Sequence, residues 1–192
     1  MTDPLFTCVA CGYTCAQRWD EALRETVAYH EAGHAAMSWH RVHDAQAVCV
    51  HPDGSGRCAH GFRFSTEILD PLDHLLVVLA GPVGEVGILE RINPATSQGH
   101  DFDYTRLFLL PRVLMYGYSA PPDPADALQH FCDLARDELF GPQCFDLYVA
   151  IADELLEQPW LSAAALRTLC EDHDLRDEDE DEDEDHDDDE PA

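Results

Sequence analysis

The segment AYHEAGHA, residues 28–35, contains the pattern His-Glu-x-x-His. On an α-helix, residues four positions apart lie on the same face about one turn apart, so His30 and His34 can bind one metal ion. Glu31, one step around the helix, then flanks the ion and can take a proton from a water molecule that the metal activates. These residues predict a zinc hydrolase with two histidine ligands and a glutamate base.

A catalytic zinc site needs a third protein ligand. His40 has the spacing of a longer histidine motif, but an unbroken helix carries it about 9 Å beyond His34 and off the metal-facing side. Glu85 is a carboxylate on a later apolar helix. Asp101 and Asp103 are carboxylates at the start of a further helix, where Asp101 also suits an N-cap. The residues alone leave the three carboxylates as alternatives.

The local patterns predict the elements that position these side chains. Asp20 can cap a helix whose inward stripe contains both motif histidines. Residues 45–64 read as a hairpin around a Pro-Asp-Gly-Ser-Gly turn. Asp70 and Pro71 begin an apolar helix that contains Pro82, and a third helix is expected over residues 102–116.

Three further helices are expected towards the end of the chain. The first begins at Asp123 and Pro124, the second covers FDLYVAIADELLEQ, and the last, AAALRTLCE, is capped by Ser162. The fold class is therefore mainly α with a small β-hairpin or sheet. We expect a cysteine-containing N-terminal arm at 1–17 and an acidic, disordered tail at 173–192, with the folded domain between them.

The charge is strongly negative. The chain has 39 acidic residues, 11 arginines and no lysine, and 13 of the acids lie in residues 177–190. This field disfavours nucleic acid and anionic membranes as partners. The longest uninterrupted apolar run, residues 75–80, is much shorter than the roughly 20 residues of a membrane span. With no secretory signal visible, we expect a cytoplasmic protein without a membrane partner.

Eight cysteines in such a protein indicate reduced thiols or metal ligands. Four of them, Cys49, Cys132, Cys144 and Cys170, lie in apolar patterns and are expected to be core thiols. CVACGYTC, residues 8–15, has the form of one zinc knuckle with Cys8 and Cys11 as its pair. Cys15, Cys58 and His60 are candidates to complete the site, and the alternative is a set of reduced thiols in a flexible arm.

An ordered set of segments resembles the peptidase domain of the FtsH family of zinc proteases. The set comprises AYHEAGHA, a hairpin, LLVVLAGPVGE, GHDFDYTRL and RVLMYGYS, and VAIADELLEQPWLSAAALRTL is similar to the family's terminal helices. The resemblance implies an FtsH-type, zincin-like peptidase fold over residues 18–172. In the family, the last aspartate of a Gly-Ala-Ser-Asn-Asp segment binds zinc, and it falls on Asp103 here. The implied site is Zn²⁺ held by His30, His34 and Asp103, with Glu31 as base.

The chain also departs from the family. Pro82 stands where the family usually has arginine, and Asp101 and Phe102 replace small polar residues. We expect a stand-alone domain without ATPase module or membrane anchor. The expected function is a zinc-dependent endopeptidase acting on unfolded or flexible polypeptides, and a homo-oligomer or a separate ATPase partner stays open. The alternative is a non-catalytic, degenerate protease domain that sequesters cationic partners.

Overall fold

A computed structural model describes residues 5–8, 11–16, 20–44, 46–59, 70–89 and 98–181. The protein is mainly α-helical with a small three-stranded antiparallel sheet, which confirms the expected fold class at this level. The helices are α1 (Glu21–Val42), α2 (Pro71–Leu89), α3 (Gln98–Tyr104), α4 (Leu110–Met115), α5 (Pro124–Leu139), α6 (Phe145–Glu157) and α7 (Ala163–Asp181). The strands are β1 (Leu5–Thr7), β2 (Thr14–Ala16), β3 (Val48–Val50), β4 (Gly56–Cys58) and β5 (Trp160–Leu161).

Helix α1 is the central element of the fold. Its predicted cap is present, because the Asp20 carboxylate accepts hydrogen bonds from the amides of Ala22 and Leu23 at 3.0 and 3.2 Å. The sequence predicted one inward stripe, but residues 26–28 and 30–39 are all buried. Since α2, α6 and the sheet all pack against it, α1 is covered on several sides.

Helix α2 crosses α1 at very close range. A Cβ atom on Gly33 would lie 2.4 Å from the carbonyl oxygen of Ala80, so only glycine permits this approach. By length and composition α2 is the one described helix able to cross a membrane, but 61% of its most apolar window is buried inside the protein. Such burial is typical of a helix in the core of a protein.

The sheet has the order β4-β3-β5, with β3 between two antiparallel neighbours. The predicted hairpin is present as β3 and β4, joined by a turn in which Gly54 has φ +80°. Its expected residues 60–64 lie outside the described residues. Strand β5 was not predicted, because two residues between helices carry no local strand pattern and pair only through contact with β3.

The segment predicted as a helix over 102–116 begins earlier, at Gln98, and changes geometry along its length. Helices α3 and α4 are joined by a π-helical turn, Thr105–Leu109. The helix expected to begin at Asp123 and Pro124 is present as α5, and the Asp123 side chain caps it. Helix α7 extends to Asp181, so it includes part of the segment predicted to be a disordered tail, and residues 182–192 lie outside the described residues.

Candidate metal centre

The two motif histidines point their ring nitrogens at each other inside the protein. Both side chains are buried, as predicted, and their Nε2 atoms lie 3.1 Å apart. Asp101 brings a carboxylate oxygen to 3.0 Å from the Nε2 atom of His30 and 3.6 Å from that of His34. His30, His34 and Asp101 therefore form a compact group that could hold a metal ion.

The outer ring nitrogens of both histidines are engaged. His34 donates from Nδ1 to the carbonyl oxygen of Val77 at 2.8 Å, because a carbonyl can only accept. Nδ1 of His30 lies 3.3 Å from a carboxylate oxygen of Glu85, a fully buried side chain. With both Nδ1 atoms protonated, both Nε2 lone pairs face the centre, which is the arrangement that metal-binding histidines show.

The donor set fits a tetrahedral zinc ion. Bonds of about 2.0–2.1 Å to nitrogen and oxygen place neighbouring ligand atoms about 3.4 Å apart, and the three observed separations are 3.0, 3.1 and 3.6 Å. Three electron-pair donors at this range need a positive charge between them. One proton can bridge only two of them, whereas a divalent cation serves all three.

Without a metal, a proton takes that role. Burial lowers the pKa of His30, but hydrogen bonds to Asp101 and Glu85 outweigh it and raise the pKa to about 10. Burial favours the protonated form of Asp101, yet the two histidines hold its pKa well below the usual range. The group therefore has a strong affinity for positive charge at neutral pH.

Asp103, the ligand implied by the family resemblance, lies outside this group. It is exposed, whereas Asp101 is half-buried. Residues two apart on a helix are separated by about 200° around its axis, so one of the two can face the histidines and the other faces away. Glu85, the other alternative, contacts the outer nitrogen of His30, so it orients that ring. Helix α1 is unbroken to Val42, and His40 likewise lies outside the group.

Glu31 is buried beside the group formed by His30, His34 and Asp101. Burial raises its pKa, while the neighbouring His30 and His34 act in the opposite direction and the backbone amide of Cys58 hydrogen-bonds to it. Strand β4 passes directly over this side chain, since a Cβ atom on Gly56 would lie 2.6 Å from the Glu31 carboxylate. A buried carboxylate with a raised pKa next to a cation site is suited to transfer protons.

The sequence analysis named Glu85 only as a possible metal ligand, and it missed that Glu85 and the Val77 carbonyl contact the outer nitrogens of the histidines. Glu85 had a detectable pattern, because it is the one acid within the apolar run LLVVLAGPVGEVGIL, and a lone buried acid needs a partner. The Val77 carbonyl had no detectable pattern in the sequence, because every residue has a backbone carbonyl. Gly81 was also missed: a Cβ atom there would lie 2.3 Å from Nε2 of His34, so this glycine leaves space for the imidazole.

The N-terminal cysteines contribute to a second group. Cys8 and Cys11, the predicted knuckle pair, lie with Cys49 and His51, and one ligand atom from each lies within 4.8 Å of all the others. Cys49 is buried as expected of a core thiol, but it also belongs to this group. Cys15 and Cys58, two of the predicted partners, belong to neither described group, and His60 lies outside the described residues.

No protein-family model matches this chain, and no curated protein matches it.

Proposed function

We propose that this chain is a zinc-dependent endopeptidase in which His30, His34 and Asp101 hold Zn²⁺ and Glu31 is the general base. The convergence of the three donor atoms beside a buried glutamate carries the proposal. Three protein ligands leave the fourth position of a tetrahedral zinc ion for the reaction, which is typical of catalytic sites. Peptide bonds are the proposed substrate because the ordered segments resemble the FtsH peptidase domain.

Zinc bound there would supply Lewis acidity, lowering the pKa of water and polarising the peptide carbonyl. Glu31 would take a proton from the attacking water and deliver it to the leaving amine. Its raised pKa suits both roles, because a base that is too weakly basic would not accept the proton at neutral pH. Glu85 and the Val77 carbonyl would keep the imidazoles in the orientation that the ligands need.

Strand β4 offers a place for an extended substrate. Among the described residues it pairs with β3 on one side only, so its other edge can accept an added strand. Gly56 of β4 lies against Glu31, so a polypeptide paired there would run past the proposed base. Strand addition requires an extended backbone, which limits the proposed substrates to unfolded or flexible polypeptides.

The test compares the zinc-loaded protein with its Glu31→Gln variant on unfolded casein. We expect cleavage by the parent protein, loss of cleavage with a chelator, and recovery on adding zinc. Glu31→Gln should keep its zinc and lose at least about 100-fold in kcat, the lower end of the range for a general base. Full activity in the variant would refute the assigned base, and zinc binding without any cleavage by the parent would favour the non-catalytic alternative.

A further inference from the structure

The N-terminal arm folds into a short hairpin that presents two cysteines. Strands β1 and β2 pair antiparallel, with Leu5 opposite Ala16. In the turn between them, the amide of Gly12 donates to the carbonyl of Cys8 and the amide of Cys8 donates to the carbonyl of Tyr13, both at 2.8 Å. Gly12 has φ +73°, a conformation that glycine adopts at little cost. This tight turn brings Cys8 and Cys11 to the same place.

The other two members of the group come from the central strand of the sheet. Cys49 lies in β3 and His51 follows that strand, and residues two apart on an extended chain point to the same side. Nε2 of His51 lies 3.3 Å from the sulfur of Cys11 and 3.3 Å from that of Cys49. The two sulfurs are 3.7 Å apart. The arm and the sheet therefore meet through these side chains.

The three distances among Cys11, Cys49 and His51 match three edges of a tetrahedron around one ion, and the Cys8 sulfur lies within 4.8 Å of the other donor atoms. Zinc–sulfur bonds of about 2.3 Å and zinc–nitrogen bonds of about 2.0 Å place sulfur pairs about 3.8 Å apart and sulfur–nitrogen pairs about 3.5 Å apart. An iron–sulfur cluster would hold its ligands on different iron atoms and further apart. The geometry favours a single ion.

The tautomer of His51 is fixed by a chain of hydrogen bonds. The Ser55 hydroxyl donates to Asp53 at 2.7 Å, so it accepts from Nδ1 of His51 at 2.9 Å. The Tyr13 hydroxyl donates to the other carboxylate oxygen of Asp53 at 2.8 Å, and its ring stacks on His51 with centroids 4.6 Å apart. With the proton on Nδ1, the Nε2 lone pair is directed at the sulfurs.

A single lone pair cannot serve three thiols. Nε2 of His51 can accept an S–H hydrogen bond from only one of the three thiols at a time. Cys8, Cys49 and His51 are buried, and Cys11 is half-buried. A cation at the centre would instead bind all four atoms.

We propose that Cys8, Cys11, Cys49 and His51 bind one structural zinc ion that fastens the N-terminal hairpin to the sheet. Four protein ligands close the coordination sphere, which is typical of a structural site and differs from the three ligands of the proposed catalytic centre. The ion would also hold the β3–β4 hairpin, whose Gly56 packs against Glu31. The arm predicted as separate from the domain would then be part of it.

The test counts metal ions and identifies sulfur ligands in the full-length protein. We expect two zinc ions per chain in the parent and one in Cys11→Ser. Replacing zinc with Co²⁺ should give thiolate-to-cobalt charge-transfer absorption, which Cys11→Ser should lose. Cys15→Ser is the matched control, because Cys15 lies in the same hairpin but outside the group, and it should keep both ions and the absorption.

A second variant separates this site from the catalytic proposal. His34→Ala should lose one ion and keep the thiolate–cobalt absorption, whether or not the protein is a peptidase. Hydrogen exchange of residues 5–16 in His34→Ala should speed up when a chelator removes the remaining ion. The proposal would be overturned if the parent protein showed no thiolate–cobalt absorption, or if Cys15→Ser lost this absorption as fully as Cys11→Ser. Iron in place of zinc in the purified protein would also overturn it.

Discussion

The Nε2 atoms of His30 and His34 lie 3.1 Å apart, and each ring is held in that orientation by an acceptor on its far side. This arrangement needs a positive charge among the donor atoms, and the proton of His30 supplies it in the metal-free protein because the pKa of His30 is raised to about 10. The surrounding structure maintains it because both rings are buried between α1 and α2. The rings are therefore held where they could bind a metal ion together with Asp101.

Asp101 should be the third ligand of the proposed zinc site. Asp101→Ala should weaken zinc binding at the histidine pair by more than the roughly 10–100-fold typical of residues that merely orient ligands, because it removes a donor atom. Asp103→Ala, two residues away and exposed, should leave the affinity unchanged. Competition with a chromophoric chelator in a Cys11→Ser background measures this one site. If Asp103→Ala weakened zinc binding and Asp101→Ala did not, Asp103 would be the third ligand, as the family resemblance implies.

Glu85 should act through His30. Glu85→Gln keeps the shape of the side chain but removes the negative charge that holds the proton on Nδ1, so zinc affinity should fall by roughly 10–100-fold. Glu157→Gln, on an exposed position of α6, is the control and should have no effect. The same competition titration applies. If Glu85→Gln and Glu157→Gln bound zinc equally well, Glu85 would have no role in zinc binding.

Gly81 should be essential for the position of His34. In Gly81→Ala the added methyl group would lie 2.3 Å from Nε2 of His34, so the imidazole must move and the histidine site should lose its zinc. The cysteine site should keep its ion, and its thiolate–cobalt absorption would report that the sheet is still folded. Metal analysis should fall from two ions to one. Retention of both ions would contradict the close packing described.

Zinc binding at the histidine site should strengthen with pH. His30 has a pKa of about 10 in the metal-free protein, so below that pH each ion must displace one proton. Affinity in Cys11→Ser should therefore rise about tenfold per pH unit between pH 6.5 and 8.5. A zinc affinity that does not change over this pH range would show that His30 is already neutral in the metal-free protein.

The stability of the metal-free protein should change in the opposite direction. The folded pKa of His30 lies above its unfolded value of about 6.5, so its stabilising effect is complete below that pH and is lost as pH rises towards 10. The depressed pKa of Asp101 adds stability that is present above about pH 3.8 and lost on further acidification. Thermal unfolding of chelator-treated protein between about pH 2.5 and 10 checks both changes. In His30→Gln the loss of stability at alkaline pH should be smaller.

Local patterns were enough to predict several elements. The cap at Asp20, the helix through His30 and His34, the apolar α2 and the β3–β4 hairpin follow from side chains close together along the chain. Helical spacing is a local property, so the placement of two histidines on one buried face could be predicted before any packing was known.

Contacts between distant segments decided the rest. Whether Asp101 or Asp103 meets the histidines depends on how α3 rotates against α1, about seventy residues earlier. The pairing of the arm's cysteines with Cys49 and His51 depends on where the hairpin docks on the sheet. Such contacts are set by the packing of whole elements, and a rotation of half a helical turn exchanges one carboxylate for the other. The sequence by itself therefore determined the histidine pair and its helix, whereas only the tertiary structure decided which side chains join each candidate metal group.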